Sequence, residues 1–340
     1  MSDFSEVRVS HGGALREAMA RHGGTAEDWL DLSTGISPIA FPLPAIDVET
    51  WRRLPDPDGV REVARAATRH YGGGSIPAIT PGSQAAIQQL PVLADLAMPG
   101  AALVAILAPT YGEYEAAFRR HGFAVTCVSS LAQAIDADAV VLANPNNPDG
   151  RCLSPREIEA FAVARKGRLT VIDEAFADMH PDLSVASLAG SVPGLLVLRS
   201  FGKFFGMAGL RLGFAFGEAR LTSALSARLG PWAISGPALA VAGHAFDNPD
   251  LVAAQGRAIL AAHALTRDAL LSAGCAIVGE TALFLLIQAE NGVRWRDALA
   301  SRHILARAFD HSPDVLRIGL VANAGEAERL RMALSAAAAG

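Results

Sequence analysis

Lysine is almost missing from this chain of 340 residues. Only Lys166 and Lys203 are lysines among 29 basic residues, which leaves 27 arginines. A chain that uses guanidinium wherever a cation will serve leaves each lysine to be explained by what arginine cannot do, which is to lose a proton and attack a carbonyl. Cysteine is scarce too: Cys127, Cys152 and Cys275 are far apart and odd in number, which excludes a disulfide framework and a thiolate zinc site. No apolar run reaches the ~18 residues of a membrane helix, and the opening MSDFSEVRVSHGG has no basic stretch followed by an apolar one. The expectation is a soluble cytoplasmic protein without a membrane partner. Runs of like charge are absent and the formal net charge is −5, so nucleic acid is not an expected partner either. With 51% hydrophobic and 19% charged residues, the chain has material for a core and too little charge for disorder, and its length suits two domains.

What is present is alternation. The strand-like runs ALVAIL (102–107), FAVTCV (123–128), AVVLAN (139–144), RLTVID (168–173), LLVLRS (195–200) and LGFAFG (212–217) are interleaved with stretches of helical spacing such as YGEYEAAFRR and SPREIEAFAVAR. This pattern predicts an α/β fold, a mostly parallel central sheet with helices on both faces. Residues 1–44 are broken by glycine and proline. From about 235 onward come long helices, including PDLVAAQGRAILAAHALTRDALLSAG, then short strands in TALFLLIQ and VLRIGL and an Ala-rich final helix whose LSAAAAG end is expected to fray. The predicted organisation is a large domain over 45–235 and a smaller α+β domain assembled from 1–44 and 236–340.

In such sheets ligands sit beyond the carboxyl ends of the strands, so the polar residues that end each apolar run are the candidates. Gly82 and Ser83 open a helix in PGSQAAIQQL, as a phosphate cradle or as a plain helix cap. Tyr111 follows AILAPT, Asn147 lies in NPNNPDG, Asp173 ends RLTVID, and Ser200, Lys203 and Arg211 lie in SFGKFFGMAGLRLG. Singly, each has a structural explanation. Together they supply an anion cradle, an aromatic ring, an amide, a carboxylate, an amine and an arginine at successive strand ends. Pyridoxal phosphate requires such a set: an amine for a Schiff base, a carboxylate for the ring nitrogen, phosphate donors and a flat group against the ring. Lys166, in ARKGR, reads as a solvated turn residue.

These ordered motifs resemble the fold-type-I pyridoxal-phosphate enzymes, and within them the class I/II aminotransferases that include histidinol-phosphate aminotransferase. The resemblance implies that Lys203 is the Schiff-base lysine and Asp173 the partner of the ring nitrogen. It implies that Asn147 binds the phenolic oxygen, that Tyr111 stacks on the ring, and that Ser200, Arg211, Ser83 and the N–H groups at Gly82 and Gln84 bind the phosphate. Arg317, in LRIGL, matches an arginine that grips a substrate carboxylate. Two positions depart from the family pattern: Phe176 stands where many members have a tyrosine, and Leu54 where many have a tyrosine that reaches the partner subunit's cofactor. The segments SHGGALREAMARHG, LDLSTGISP, LPDPDGVREVARAATRHYG and ANPNNPDGR further resemble the threonine-phosphate decarboxylases of cobalamin biosynthesis, a decarboxylating branch of the same group. Phe176 agrees with that branch; Ser37, in GISP, departs from it.

The resemblance implies a homodimer and the decarboxylation of L-threonine O-3-phosphate to aminopropanol O-2-phosphate and CO2. By analogy His11 and the 33–37 loop, with Gly35, lie over the substrate. The alternative is an aminotransferase for histidinol phosphate or an aromatic amino acid, since the cofactor residues are shared. A serine hydrolase of S-x-x-K type, read from Ser200 and Lys203, would need a K-T-G segment, and no third lysine exists. A cofactor-binding regulator would lack any DNA-binding segment.

Overall fold

The computed structural model describes residues 11–339, so the first ten residues, part of the stretch read for a leader, lie outside the described residues. A short strand, β1 (Leu30–Asp31), comes first. Seven more build the central sheet: β2 (Ala78–Thr80), β3 (Leu103–Leu107), β4 (Ala124–Val128), β5 (Ala139–Ala143), β6 (Leu169–Asp173), β7 (Leu195–Ser200) and β8 (Gly213–Gly217). Their order is β2-β8-β7-β6-β5-β3-β4, and every pair is parallel except those of β8, which runs against both β2 and β7. The sheet is thus mixed and mostly parallel.

Side chains of the central strands alternate between two cores. Val140, Leu142, Ile172 and Val197 enter one, while Val141, Val171, Leu196 and Leu198 enter the other. Burial on both faces is why these strands read as unbroken apolar runs rather than as alternation. Each such side chain contributes about 1.5–3 kcal/mol when fully buried, so polar residues are tolerated only where the strands end. The register sets Ala143 beside Asp173, and Asp173 beside Leu198, so the strand-end polar groups share one edge.

The helices begin and stop on local signals. In Pro155–Ala164 the Ser154 hydroxyl accepts from the Glu157 N–H while Glu157 accepts from the Ser154 N–H, a capping box. Pro57–Tyr71 starts with Asp56 as cap and proline in its first turn, and ends at Gly72 in the left-handed region.

The C-terminal part adds β9 (Ile277–Thr281), β10 (Phe284–Gln288), β11 (Ile304–Leu305), β12 (Arg307–Phe309) and β13 (Ser312–Gly319). Four of these form a separate antiparallel sheet in the order β12-β13-β10-β9, and β11 pairs with β1, which ties the N-terminal segment to this region. β1, β2, β9, β11 and β12 were not foreseen. The last helix is Ala324–Ala339, and Leu334 and Ala337, in the LSAAAAG end, are buried. No helix among the described residues is long and apolar enough to cross a membrane.

Candidate active site

The carboxyl ends of β5, β6 and β7 and the start of the helix Ser83–Ile87 enclose a cavity of about 180 Å³, and all nine residues expected to hold a cofactor line it. Lys203 stands on the single helical turn Phe201–Phe204 that follows β7. Burial, and then the charge of Arg317, pushes its ammonium down to about 8, with Asp173 opposing. About a tenth of the amine is therefore neutral at pH 7, against roughly three in ten thousand for an ordinary lysine. Lys166, by contrast, is exposed in a left-handed turn with φ 55° and lies outside the cavity.

Asp173 ends β6. Its Oδ2 accepts from the Tyr114 hydroxyl at 2.7 Å and its Oδ1 from the Ala175 N–H at 3.0 Å. Burial pushes its carboxyl up, while those two donors and Lys203 pull it back. Both hydrogen-bond donors are neutral, so the carboxylate can still pair with a cation. At the helix start Gly82 has φ +76°, and a Cβ there would stand 2.7 Å from Arg211 Nη2. The positive φ favours glycine there, and a side chain would crowd that guanidinium. The Gly82 N–H, expected to bind the phosphate, instead donates to the Thr80 carbonyl at 2.7 Å, which leaves the Ser83 and Gln84 N–H groups of the helix start to face an anion. Arg211 is itself held by the Ala208 carbonyl at 2.9 Å, and Ser83 and Ser200 complete the rim. Tyr111 donates to Gln84 Oε1 at 3.0 Å and meets Tyr114 edge-on at 5.5 Å.

A phosphate fits the Gly82–Gln84 turn with Ser83, Ser200 and Arg211. A protonated ring nitrogen fits Asp173, and an aldehyde fits a lysine that is partly neutral. The residues present therefore suit pyridoxal phosphate. Phe176 walls the cavity with its ring 5.6 Å from Lys203 Nζ and edge-on to Phe284 at 5.1 Å. Gly35 lies behind this wall rather than on the cavity: a Cβ there would stand 2.8 Å from the Phe176 ring. Ser37 is buried, its N–H donating to the Lys203 carbonyl at 2.9 Å.

A second cavity of about 200 Å³ adjoins the first and shares Tyr111 and Asn147 with it. Arg307 and Arg317 bring positive charge to its walls, beside Asp310 and the imidazoles of His11 and His311, and burial holds His311 below the usual histidine value. Arg317, on β13, donates through Nη1 to Asn147 Oδ1 and through Nη2 to the Ser33 carbonyl at 2.8 Å, and its Nε is buried without a partner. These acceptors are neutral. Burial, helped by Arg307, pushes the guanidinium down to about 10. His11 reaches Glu113 at 3.0 Å. Leu54 is remote in character, an exposed apolar side chain. Among the described residues no cluster of three His, Cys, Asp or Glu side chains could hold a metal.

Tyr114, Glu113, Arg307 and His311 were missed from sequence. Tyr114 and Glu113 stand in the same PTYGEY motif that yielded Tyr111, so a local signal existed. Arg307 is one arginine among 27 and carries no such mark.

The sequence pattern of the family described as aminotransferase class I and II matches residues 28–336. The chain belongs to this family. It is 44% identical over 332 residues to a threonine-phosphate decarboxylase of Sinorhizobium sp., covering 96% of this chain and 98% of that one. It is 41% identical over 331 residues to a threonine-phosphate decarboxylase of Pseudomonas aeruginosa, covering 96% and 97%. In architecture it is similar to the histidinol-phosphate aminotransferase of Sinorhizobium meliloti in complex with pyridoxal-5'-phosphate. The TM-score is 0.83 at 22% identity, over 99% of this chain and 98% of that one, a likeness of fold.

Proposed function

We propose that the chain is a pyridoxal-phosphate-dependent decarboxylase that converts L-threonine O-3-phosphate to aminopropanol O-2-phosphate and CO2, a step of cobalamin biosynthesis. One observation carries the reading: Arg317 is a buried guanidinium whose acceptors are all neutral, beside a partly neutral lysine. An uncompensated buried charge costs several kcal/mol, and a substrate carboxylate would complete it. The near-full-length likeness to two threonine-phosphate decarboxylases supports the choice of substrate.

Bound pyridoxal phosphate supplies an aldehyde that condenses with amines and a protonated ring that draws off the electron pair left when a bond at Cα breaks. The Gly82–Gln84 turn, Ser83, Ser200 and Arg211 would hold its phosphate, Asn147 its phenolic oxygen and Tyr111 its ring face. Asp173, already oriented by Tyr114 and Ala175, keeps the proton on the ring nitrogen. Lys203 would hold the aldehyde, and its Nζ would hold the proton that Cα takes up once CO2 has left. Arg317 grips the carboxylate with its fork of donors. Arg307, His11 and His311 face the cavity next to it and would take the substrate phosphate. With both anions held, rotation about Cα is fixed, so the carboxylate bond rather than the Cα–H bond is presented for cleavage.

On this reading residues 45–235 carry the cofactor, while 1–44 and 236–340 supply the substrate anion sites. The exposed side chains of Val48, Trp51, Leu54 and Trp232, 60% to 66% exposed, suit burial against a second copy of the chain, and a homodimer is the assembly proposed. Leu54 has no hydroxyl to offer a neighbour's cofactor. The test is the product. Purified protein loaded with cofactor should release one CO2 per aminopropanol phosphate formed. A protein that releases none, and makes glutamate from 2-oxoglutarate with histidinol phosphate, is an aminotransferase instead.

A further inference from the structure

Glu113 opens the helix Glu113–Arg120 and is nearly buried, its side chain 9% exposed, yet it lines neither cavity. A carboxylate suits a helix start through the helix dipole, but that accounts for its charge and not for its partners. Its Oε1 faces His11 Nε2 at 3.0 Å. Its Oε2 accepts from Gln84 Nε2 at 2.9 Å and Gln88 Nε2 at 3.1 Å, with Arg120 Nη2 at 3.6 Å. Gln84 in turn accepts from the Tyr111 hydroxyl.

The chain beyond His11 is fastened a second time. Gly12 lies so close to Ser33 that a Cβ would stand 2.4 Å from its carbonyl oxygen, and the Gly13 N–H donates to Ser33 Oγ at 2.7 Å. That same carbonyl accepts from Arg317 Nη2. Residues 11–13 thus run between Glu113, on the side of the Lys203 cavity, and Ser33, on the side of Arg317, with His11 and Gly12 on the wall of the second cavity.

We propose that Glu113 is a positioning residue that fastens residues 11–13 over the second cavity, and so sets how tightly the phosphorylated substrate is gripped without touching it. The identity of the substrate rests on the decarboxylase reading; the fastening does not. Hydrogen bonds to a carboxylate are stronger than neutral ones, and Glu113 is the charged partner that holds the half-exposed His11 imidazole, whose ring otherwise stands 6.1 Å from that of Tyr111.

The test uses the full-length protein loaded with cofactor, as wild type, Glu113→Ala, Glu113→Gln, His11→Ala and the Glu113→Ala/His11→Ala double variant. Glu113→Ala should raise KM for L-threonine O-3-phosphate about tenfold while kcat stays within about threefold, because grip and not chemistry is lost. Glu113→Gln, which keeps an oxygen for Gln84 and Gln88, should fall between it and wild type. In KM the double variant should be no worse than His11→Ala alone, since Glu113 reaches the substrate grip through its contact with His11. Without substrate, Glu113→Ala should exchange the Gly13 amide hydrogen faster. An unchanged KM, additive variants, a fall in kcat alone, or unchanged Gly13 exchange would each overturn the proposal. If Glu113→Ala does not fold, Glu113→Gln and His11→Ala decide by the same KM criterion. Should the wild type release no CO2 from threonine phosphate, the decarboxylase reading fails, and Gly13 exchange still decides the fastening.

Discussion

Arg199 and Arg317 are both buried, in two regions of the molecule that treat charge in opposite ways. Arg199, on β7, lies 2.9 Å from Glu174 and 3.4 Å from Asp178, with the Tyr71 ring centre 4.4 Å from its guanidinium. Burial works against its charge, yet Asp178 and Glu174 outweigh that and hold it above the ordinary arginine value. Arg317, on β13, has an amide and a carbonyl as acceptors, with the Phe284 and Phe309 ring centres 5.1 Å and 5.9 Å from its guanidinium, and burial pushes it down. A buried cation supplied with carboxylates belongs to the fold. Arg165 is buried with neutral acceptors too, but five carbonyls and the Thr170 hydroxyl satisfy it. Arg317 differs in having two acceptors, an unpartnered Nε and a place on a cavity wall, which suits it to something that binds.

The amine between the two regions gives the largest expected effect. Lys203→Ala should abolish turnover and the visible absorbance of the bound cofactor, with unfolding unchanged; activity retained with cofactor still attached would move attention to Lys166. Next comes Arg199→Met. It strands Glu174 and Asp178 without their cation, and urea unfolding should show a loss of about 3–5 kcal/mol. Arg317→Met should do the reverse, falling about 100-fold in kcat/KM, roughly 2.7 kcal/mol, while its urea midpoint stays at or above wild type. If the two methionine variants unfold alike, the contrast between the regions is wrong.

A pH series sharpens the same contrast. Lys203 attacks only as the neutral amine and titrates at about 8. Cofactor uptake by the cofactor-free protein should therefore rise about tenfold per pH unit up to about 8 and level off above it. Arg317 is one cause of that depression, so in Arg317→Met the bend should move to higher pH; a curve that still climbs at pH 10 in wild type would mean an ordinary lysine. The smallest effect belongs to Phe176→Tyr. A hydroxyl there adds one net hydrogen bond of ~1 kcal/mol, a factor of about five to ten in rate, and CO2 should remain the main product by gas-trapping assay.

What could be read from the sequence follows the same physics. The strands β3 and β5 to β8 were legible because burial on both faces makes each an unbroken apolar run, and the first polar residue after such a run marks the edge where Asp173 and Ser200 stand. The edge strand β4 is mostly exposed and was legible from its β-branched residues. Lys203 was legible by rarity. β2 was not, since three residues between Pro77 and Pro81 make no pattern. Tyr114 was passed over because its use, a hydrogen bond to a carboxylate 59 residues away, is made by the register of β6 and not by local spacing. Arg307 and Arg199 were hidden among 27 arginines. Which of them lies among carboxylates and which lines a cavity is decided only in three dimensions.

The account rests on a substrate held by two anions, and substrate truncation tests this most directly. CO2 release by the cofactor-loaded wild type should be measured side by side with L-threonine O-3-phosphate and with L-threonine. Loss of the phosphate should lower kcat/KM for CO2 release by about 100-fold or more, since an unfixed Cα no longer presents its carboxylate for cleavage. Equal rates for the two substrates, or a keto acid in place of CO2, would contradict it.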